Sequence, residues 1–456
     1  MSAMDAMRGV ATGRAGPILR VLRHCFRLSL FQRFATIARQ DGLRRAAVKG
    51  RNYVVMQWRG SSHTVLRDTS AGAKDDAQYL QGVWQQLAQG NAFHVGAPTP
   101  GNGTRFVAII GDLNLPQCRK YRVEQLESFW HAQGVSCGFA HFEDLPRVTR
   151  LLSQATHVIE YRLPETPLTV MLRYEARRLR LPILYDIDDP LFSVSAYETY
   201  GNMTALDPWM KQHFAAEAPK YLAMMNGADM ISVSTPGLAR HVALYSSRPV
   251  HVRRNYADAV TLAAGARAHA QRRAGDGIFR VAFASGSQGH EADFCEIAQS
   301  VETFVMSAPN RRLLLLGRID QSALPRALAS RTDTVPFSNY DDYLAALAHA
   351  DCAVMPLLDD MFNRCKSAVR VIDASAVSVP SIVSSVGDLA QMIVPGETGH
   401  VANTSQDWLT FLNALADDPE LCARMGIAGR RALEARWSGT DTGQIVDPEI
   451  LDWVLA

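Results

Sequence analysis

Nowhere along the 456 residues do enough apolar residues run together to form a membrane-crossing helix, which needs about 18 or more in succession. The sequence therefore predicts no membrane span. Cysteine is scarce and scattered: Cys25, Cys118, Cys137, Cys295, Cys352, Cys365 and Cys422 form an odd set with no CxxC pair. That pattern argues against a disulfide framework or a structural zinc site and fits a reducing compartment. The N-terminus lacks an uninterrupted apolar core followed by a small-residue cleavage site, so no secretory leader is expected. Neither a GxxxxGK(S/T) phosphate loop nor a GxSxG nucleophile elbow occurs, and phosphotransferase and hydrolase classes lose their main sequence support. A large charge of one sign is missing too. With 47 Lys/Arg against 45 Asp/Glu the net charge is +2, too little to bind nucleic acid by bulk electrostatics.

What is present is globular: 47% of residues are hydrophobic and 20% charged, and the length suggests two or three domains. The charge is unevenly placed. Residues 1–60 hold twelve Lys/Arg and two Asp, a net +10 that leaves −8 on the rest of the chain. A basic head on a mildly acidic body points to an anionic partner for the head. Within it, Ile18, Leu19, Leu22, Phe26, Leu30 and Ile37 fall on one helical stripe flanked by Arg20, Arg23 and Arg27. This is the pattern of a basic amphipathic helix, either docked on the body or lying on an anionic membrane surface. Residues 61–103 are polar and end in the linker-like GAPTPGNGT.

From residue 104 the chain alternates short apolar runs with helical stretches. Strands are expected at 105–111, 156–161, 182–185, 230–233 and 250–253, with helices near 120–133 and 167–180. An Ala/Gly/Arg-rich connector at 257–277 precedes a second series. Its strands are expected at 279–284, 312–316, 352–356 and 381–384. Its helices are expected at 291–307, 340–349, 366–377, 405–416 and 419–435. Such alternation predicts doubly wound parallel sheets, and two of them in one chain make a cleft in which nucleotides bind at the carboxyl ends of strands.

Three loops carry the candidate chemistry. Ser285, Gly286, Ser287 and His290 follow an expected strand and precede a helix, where small residues let backbone N–H groups approach a phosphate. Asn363, Arg364, Lys366 and Ser367 cluster at the start of the helix expected at 366–377, a set of cations and hydroxyls suited to a diphosphate. Asp373 lies about two helical turns further on, where a carboxylate can accept both hydroxyls of a ribose. The third loop, Asp186, Asp188 and Asp189 before Pro190, can hold a divalent ion on a diphosphate. Its alternative reading is backbone capping and turn formation on a cleft wall, with no metal. Arg119, Lys120 and Arg122 follow the first strand, in a loop that can meet phosphates or stay solvated.

These segments, in this order, resemble the family-four glycosyltransferases and their relatives that build bacterial envelope polysaccharides. The resemblance runs from about residue 104 to 437. In the first half it rests on QCRKYRVEQL (117–126), LYDIDDPLF (184–192), ADMISVSTPGLARHV (228–242) and VRRNYAD (252–258). In the second it rests on FASGSQGHEADF (283–294), FNRCKSAVRVIDASAVSVPSIVSSVGDLAQMI (362–393) and PGETGHVANTSQDW (395–408). It implies a GT-B fold: two Rossmann-like doubly wound domains facing a cleft. It also implies retention of anomeric configuration and no obligatory metal or other cofactor. By alignment Asp373 matches the second, ribose-binding acid of the family's paired-acid motif, while the first acid falls at Cys365. Ser378 stands where glycine is usual, and the Arg and Lys of many relatives after the first strand of the second domain are replaced by the Ser285–His290 loop.

The resulting domain plan is a basic extension and linker at 1–103, an acceptor domain at 104–265, a nucleotide-sugar donor domain at 266–437 and a tail at 438–456. The expected donor contacts are Ser285, Gly286, Ser287, His290, Arg318, Asn363, Arg364, Ser367 and Asp373. Lys366 is expected to stabilise the leaving group. Arg122, Asp186, Asp188 and Asp189 are the expected catalytic and acceptor-side residues. The expected partners are a nucleotide-sugar donor, a glycan or lipid-linked acceptor, and an anionic membrane surface through residues 1–60, with no nucleic acid. The body is expected in the cytoplasm, peripheral to the inner face of the membrane. Three other readings stay open: a non-catalytic GT-B-like subunit of a polysaccharide assembly complex, a sugar-nucleotide epimerase on the same fold, and a metal-dependent GT-A enzyme using Asp186 and Asp188.

Overall fold

Short apolar runs bounded by turns become the strands of two six-stranded parallel sheets. The computed structural model describes residues 104–272, 276–286, 290–317, 324–439 and 442–456, with scattered positions between 35 and 51. The chain divides into two units, Met1–Gly72 and Ala73–Ala456. The helix expected at 17–37 belongs to the first and, apart from Ala35, lies outside the described residues. Among the described residues no helix is long and apolar enough to cross a membrane.

In the second unit, the first sheet contains β1 (Phe106–Gly111), β2 (Ser136–His141), β3 (His157–Tyr161), β4 (Ile183–Ile187), β5 (Met230–Val233) and β6 (Val250–Val252), in the order β2-β1-β3-β4-β5-β6. The second contains β7 (Phe279–Gly286), β8 (Arg311–Gly317), β9 (Thr332–Val335), β10 (Cys352–Met355), β11 (Ser381–Ser384) and β12 (Gly399–Ala402), in the order β12-β11-β10-β7-β8-β9. Helical crossovers cover both faces, so central strands bury side chains on both sides. Alternation divides them: Ala108 and Ile110 of β1 join one cluster, and Val107 and Ile109 join the cluster on the other face. Likewise Leu314 and Leu316 of β8 face one layer, and Leu313 and Leu315 the other.

The expected strands are present, with ends displaced by two residues at most. The helix expected at 291–307 is broken into Glu291–Cys295 and Ala298–Met306. The one expected at 366–377 begins only at Val369, because Lys366 is extended (φ −66°, ψ 140°) after a 3-10 turn at Asn363–Cys365. Lys366 thus stands on a turn ahead of the helix that carries Asp373.

Two packing facts refine the domain plan. The helix Ala259–Ala270 buries Ala264 and Ala268 in the second domain, and a Cβ on Gly265 would come within 2.2 Å of the Ala376 carbonyl oxygen. This helix therefore packs as part of the second domain. At the other end of the chain, residues 442–456 return to the first. Arg253 pairs with Val446 in an antiparallel bridge. Ile445, Val446, Ile450 and Val454 then cover Val107, Ile109 and Trp130. The apolar side of the helix Pro448–Leu455 explains the return, because it finds cover only against that sheet face.

Candidate active site

In the second sheet the chain runs from β7 outward through β8 and β9, then crosses back to β10 beside β7. Ligands of open α/β sheets bind at such a reversal, outside the carboxyl ends of the two strands. Here those ends lead into His290 and Asp293 after β7, and into Leu357–Lys366 after β10.

Asp293 organises this crevice. Its side chain is fully buried. One oxygen accepts from the Leu358 N–H at 2.9 Å and from Asn363 Nδ2 at 2.9 Å. The other accepts from Asn202 Nδ2 at 2.7 Å and meets His290 Nδ1 at 2.8 Å. Burial pushes the carboxyl up, but the hydrogen bonds from His290, Leu358 and Asn202 outweigh it, so Asp293 sits below its ordinary value. An ionised carboxylate only accepts, so the His290 proton is on Nδ1. Asn202 belongs to the first domain, and this bond ties the two halves together across the cleft.

Two cations face the same space. Lys366 Nζ lies 5.0 Å from the centre of the Phe362 ring and 5.8 Å from that of Tyr200. Its nearest carboxylate partner is Asp189, at 3.6 Å. Burial works against its charge, yet Asp189, Tyr200 and Asp293 hold the ammonium above its ordinary value. Arg370 has a buried Nη1 with no hydrogen-bond partner among the described residues. Burial pushes its guanidinium below the ordinary value, and Asp293, Tyr343 and Tyr200 offset only part of that. Sequence reading missed Arg370, although it carries a signal: it is a cation in the first turn of the helix Val369–Ala376, where the helix dipole disfavours one.

Asp373 is buried and covered. Tyr121 and Tyr340 donate to the same carboxylate oxygen at 2.6 and 2.7 Å. Lys120 Nζ lies 3.4 Å from the Tyr340 ring centre and donates to Thr261 Oγ1 at 2.8 Å. Burial dominates and raises the Asp373 carboxyl despite these hydrogen bonds. Tyr121 comes from the first domain, so the expected ribose acid is capped from across the cleft. The aligned position of the first acid, Cys365, is buried; burial pushes its thiol up to about 12, and Sγ contacts the Met361 carbonyl oxygen at 3.4 Å.

The acidic turn after β4 divides in two. Asp186 is fully buried. It accepts from Arg122 Nε at 2.9 Å and Nη2 at 2.6 Å, from Arg253 at 3.1–3.2 Å and from the Ser232 hydroxyl. Burial pushes its carboxyl up, and the two guanidiniums more than reverse this. Desolvation and the neighbouring Arg122 charge bring the Arg253 guanidinium down to about 10. Asp186 and Arg122 are thus interior groups, whereas the sequence placed them on an acceptor wall. Their cluster still reaches the site. Arg122 Nη1 lies 3.2 Å from Asn255 Oδ1, and Asn255 Nδ2 donates to Ser367 Oγ at 2.9 Å. Asp188 and Asp189 line the cleft but are already paired. Arg162, in a left-handed backbone conformation (φ 50°), lies 2.8 Å from Asp188 and 2.7 Å from Asp189. Burial pushes both carboxyls up; at Asp189 the charges of Lys366 and Arg162 win and lower it, while at Asp188 burial wins.

The remaining expected residues are dispersed. Asn363 is buried in the Asp293 cluster. Arg364 lies on the surface, in a two-pronged pair with Asp359 at 2.6 and 2.9 Å. Ser285 is buried near the end of β7, which finishes at Gly286. Ser287 and Arg318 lie outside the described residues. The Thr235 side chain caps the helix Pro236–Val242 and donates to the Cys365 carbonyl at 2.9 Å, a further tie across the cleft.

Residues 281–418 match a family described as Glycosyl transferases group 1. A GDP-mannose-dependent monoacylated alpha-(1-6)-phosphatidylinositol monomannoside mannosyltransferase from Corynebacterium glutamicum is 28% identical over 155 residues. That match takes in 32% of this chain and 41% of the relative, so the chain spans less than half the length of the curated relative it matches. A sucrose-phosphate synthase from Thermosynechococcus elongatus superposes with a TM-score of 0.52 at 16% identity, over 76% of this chain and 100% of that one. WaaG, a glycosyltransferase involved in lipopolysaccharide biosynthesis, superposes with a TM-score of 0.52 at 9% identity, over 77% and 100%. The two facing sheets are the GT-B fold.

Proposed function

We propose that this chain is a glycosyltransferase that takes sugar from a nucleotide-sugar donor whose diphosphate lies against Lys366 and Arg370. The observation that carries the reading is the buried, unmatched Nη1 of Arg370 beside Lys366, at the carboxyl ends of β7 and β10. A buried guanidinium nitrogen without an acceptor is costly unless a ligand supplies one, and Lys366, partly exposed and 3.6 Å from Asp189, adds a second positive charge beside it. A nucleoside diphosphate fits that need. In transfer, the bond from the anomeric carbon to the phosphate oxygen breaks, one to the acceptor oxygen forms, and the acceptor's proton passes to the departing diphosphate or to solvent. Stabilising the charge that develops on the departing diphosphate is the main task, and Lys366 and Arg370 are set for it. The match over 281–418 and the mannosyltransferase relative support the same class.

The finer parts of the reading are a glycan or lipid-linked acceptor, retention at the anomeric carbon, and turnover without a divalent ion. The last is supported by the pairing of Asp188 and Asp189 with Arg162 and Lys366, which leaves little negative charge for a metal. Residues 1–60, at net +10, are proposed to meet anionic lipid, at about 1 kcal/mol per basic residue near the surface. Salt-sensitive flotation with anionic vesicles, absent from a chain starting at residue 104, tests that part. The main test is release of free nucleoside diphosphate from GDP- and UDP-sugars, GDP-mannose first, with and without phosphatidylinositol- or polyprenyl-linked acceptors, in EDTA and in Mg²⁺. Turnover in EDTA with one donor supports the reading. Turnover only with Mg²⁺ or Mn²⁺ overturns the metal-free part.

A second reading is favoured by Cys365 in the place of the first acid and by the tyrosine cover on Asp373: a non-catalytic GT-B-like subunit. It predicts nucleotide binding without turnover on any donor.

A further inference from the structure

The sequence places no Arg or Lys directly after β7, yet the structure aims a histidine into that space. His290 Nδ1 is committed to Asp293 at 2.8 Å. Asp293 itself is locked by Asn202, Asn363 and the Leu358 N–H. The ring can neither turn over nor exchange tautomers without losing this bond, so Nε2 is the nitrogen left with a lone pair. About a fifth of the side chain, 19%, stays exposed. Among the described residues, the groups that act on the ring come from several elements around it. Asp293 is on its own helix. Lys366 and Arg370 come from the turn and helix after β10. Asp189 comes from the turn after β4. Tyr200 and Asp360 act on Asp293 and not on the ring itself. Burial and the two cations hold the ring below its ordinary value and keep it neutral in the empty cleft, although Asp293 works in the other direction.

We propose that His290, held by Asp293, takes up a proton at Nε2 when a nucleoside diphosphate enters the cleft and donates it as a hydrogen bond to a phosphate oxygen. The inference rests on the donor-site reading above. A diphosphate brings more negative charge than Lys366 and Arg370 together cancel, so the balance around the ring reverses on binding. The proton comes from solvent and returns to it when the nucleotide leaves. Asp293 is a positioning residue: it fixes which nitrogen faces the ligand and balances the imidazolium.

The test is calorimetric titration of the full-length protein with UDP and GDP at pH 7.5, in two buffers of different ionisation enthalpy, repeated from pH 6.5 to 8.5. The expected result is net proton uptake of up to one per site, with affinity falling by up to about tenfold per pH unit on the alkaline side. His290→Asn places an amide N–H where Nδ1 was, keeps the bond to Asp293 and cannot take a proton. It should bind more weakly, show no uptake beyond the nucleotide's own, and lose the alkaline fall. His290→Gln, checked for an unchanged thermal midpoint, should behave alike. Binding without proton uptake in the natural protein, or uptake that persists in both variants, overturns the proposal and leaves the transferase reading standing. Failure of both nucleotides to bind overturns the two together.

Discussion

The buried charges on the two sides of the cleft differ in how completely they are matched. On the first-domain side Asp186 holds Arg122 and Arg253 at hydrogen-bond distance with Ser232 behind, and Arg122 spends its remaining nitrogen on Asn255. On the second-domain side Lys366 is partly exposed and rests 3.6 Å from Asp189, while Arg370 keeps a buried nitrogen with no partner among the described residues. A matched buried cluster fixes strands and loops in place. An unmatched one is a cost to the empty fold that an anionic ligand removes. The contrast separates scaffold from site among residues that look alike in a list of charges.

Breaking the matched cluster should have the largest effect. Asp186→Asn leaves two buried guanidiniums facing each other, and unfolding free energy should fall by about 3–5 kcal/mol, read from the urea midpoint by circular dichroism. The pH profile follows the same logic. A carboxyl held below its ordinary value contributes stability above that value and loses it only as pH falls through the folded one. The contribution of Asp186 should therefore persist through mildly acid solution and vanish in strong acid.

The unmatched side should answer in binding and not in stability. Arg370→Met and Lys366→Ala are each expected to weaken nucleoside diphosphate binding by about 1.5–3 kcal/mol, measured by calorimetry. Arg370→Met should leave the thermal midpoint equal or higher, since it removes an uncompensated buried charge. A lower midpoint with unchanged affinity would place Arg370 in the scaffold.

Asp373 tests an intermediate case. Tyr121 and Tyr340 both donate to one oxygen, which asparagine retains. Because burial raises this carboxyl, its ionised form costs stability above the folded value, and that cost disappears as pH falls through it. Asp373→Asn should be as stable as the natural protein or slightly more so at pH 7, and the two should converge in mild acid. The smallest effect belongs to Arg364→Ala. Its pair with Asp359 is exposed and screened by solvent, so stability should barely change and nucleotide affinity should not change.

Most of the architecture could be read along the chain, and the omissions share a cause. The strands that sequence reading missed, β2, β9 and β12, all lie at sheet edges. An edge strand buries less and carries polar residues, as in TDTV of β9, so it lacks the apolar run that marks a central strand. The late start of the helix at Val369 follows from the 3-10 turn at Asn363–Cys365, whose carbonyl at Cys365 is taken by Thr235 of the other domain.

The sequence by itself determined the alternation of strands and helices, because the periods of two and 3.6 residues are properties of the local chain. It also supplied the candidate ions Lys366, Asp373, His290 and the Asp186–Asp189 turn. Only the tertiary structure decided which of them are spent. Arg122 and Arg253 lie 64 and 67 residues from Asp186, and Tyr121 lies 252 from Asp373. No local pattern announces such partners. The strength of a charge depends on its distance to other charges and on the water excluded around it. Packing sets both, and so it left Arg370 unmatched while it enclosed Asp186.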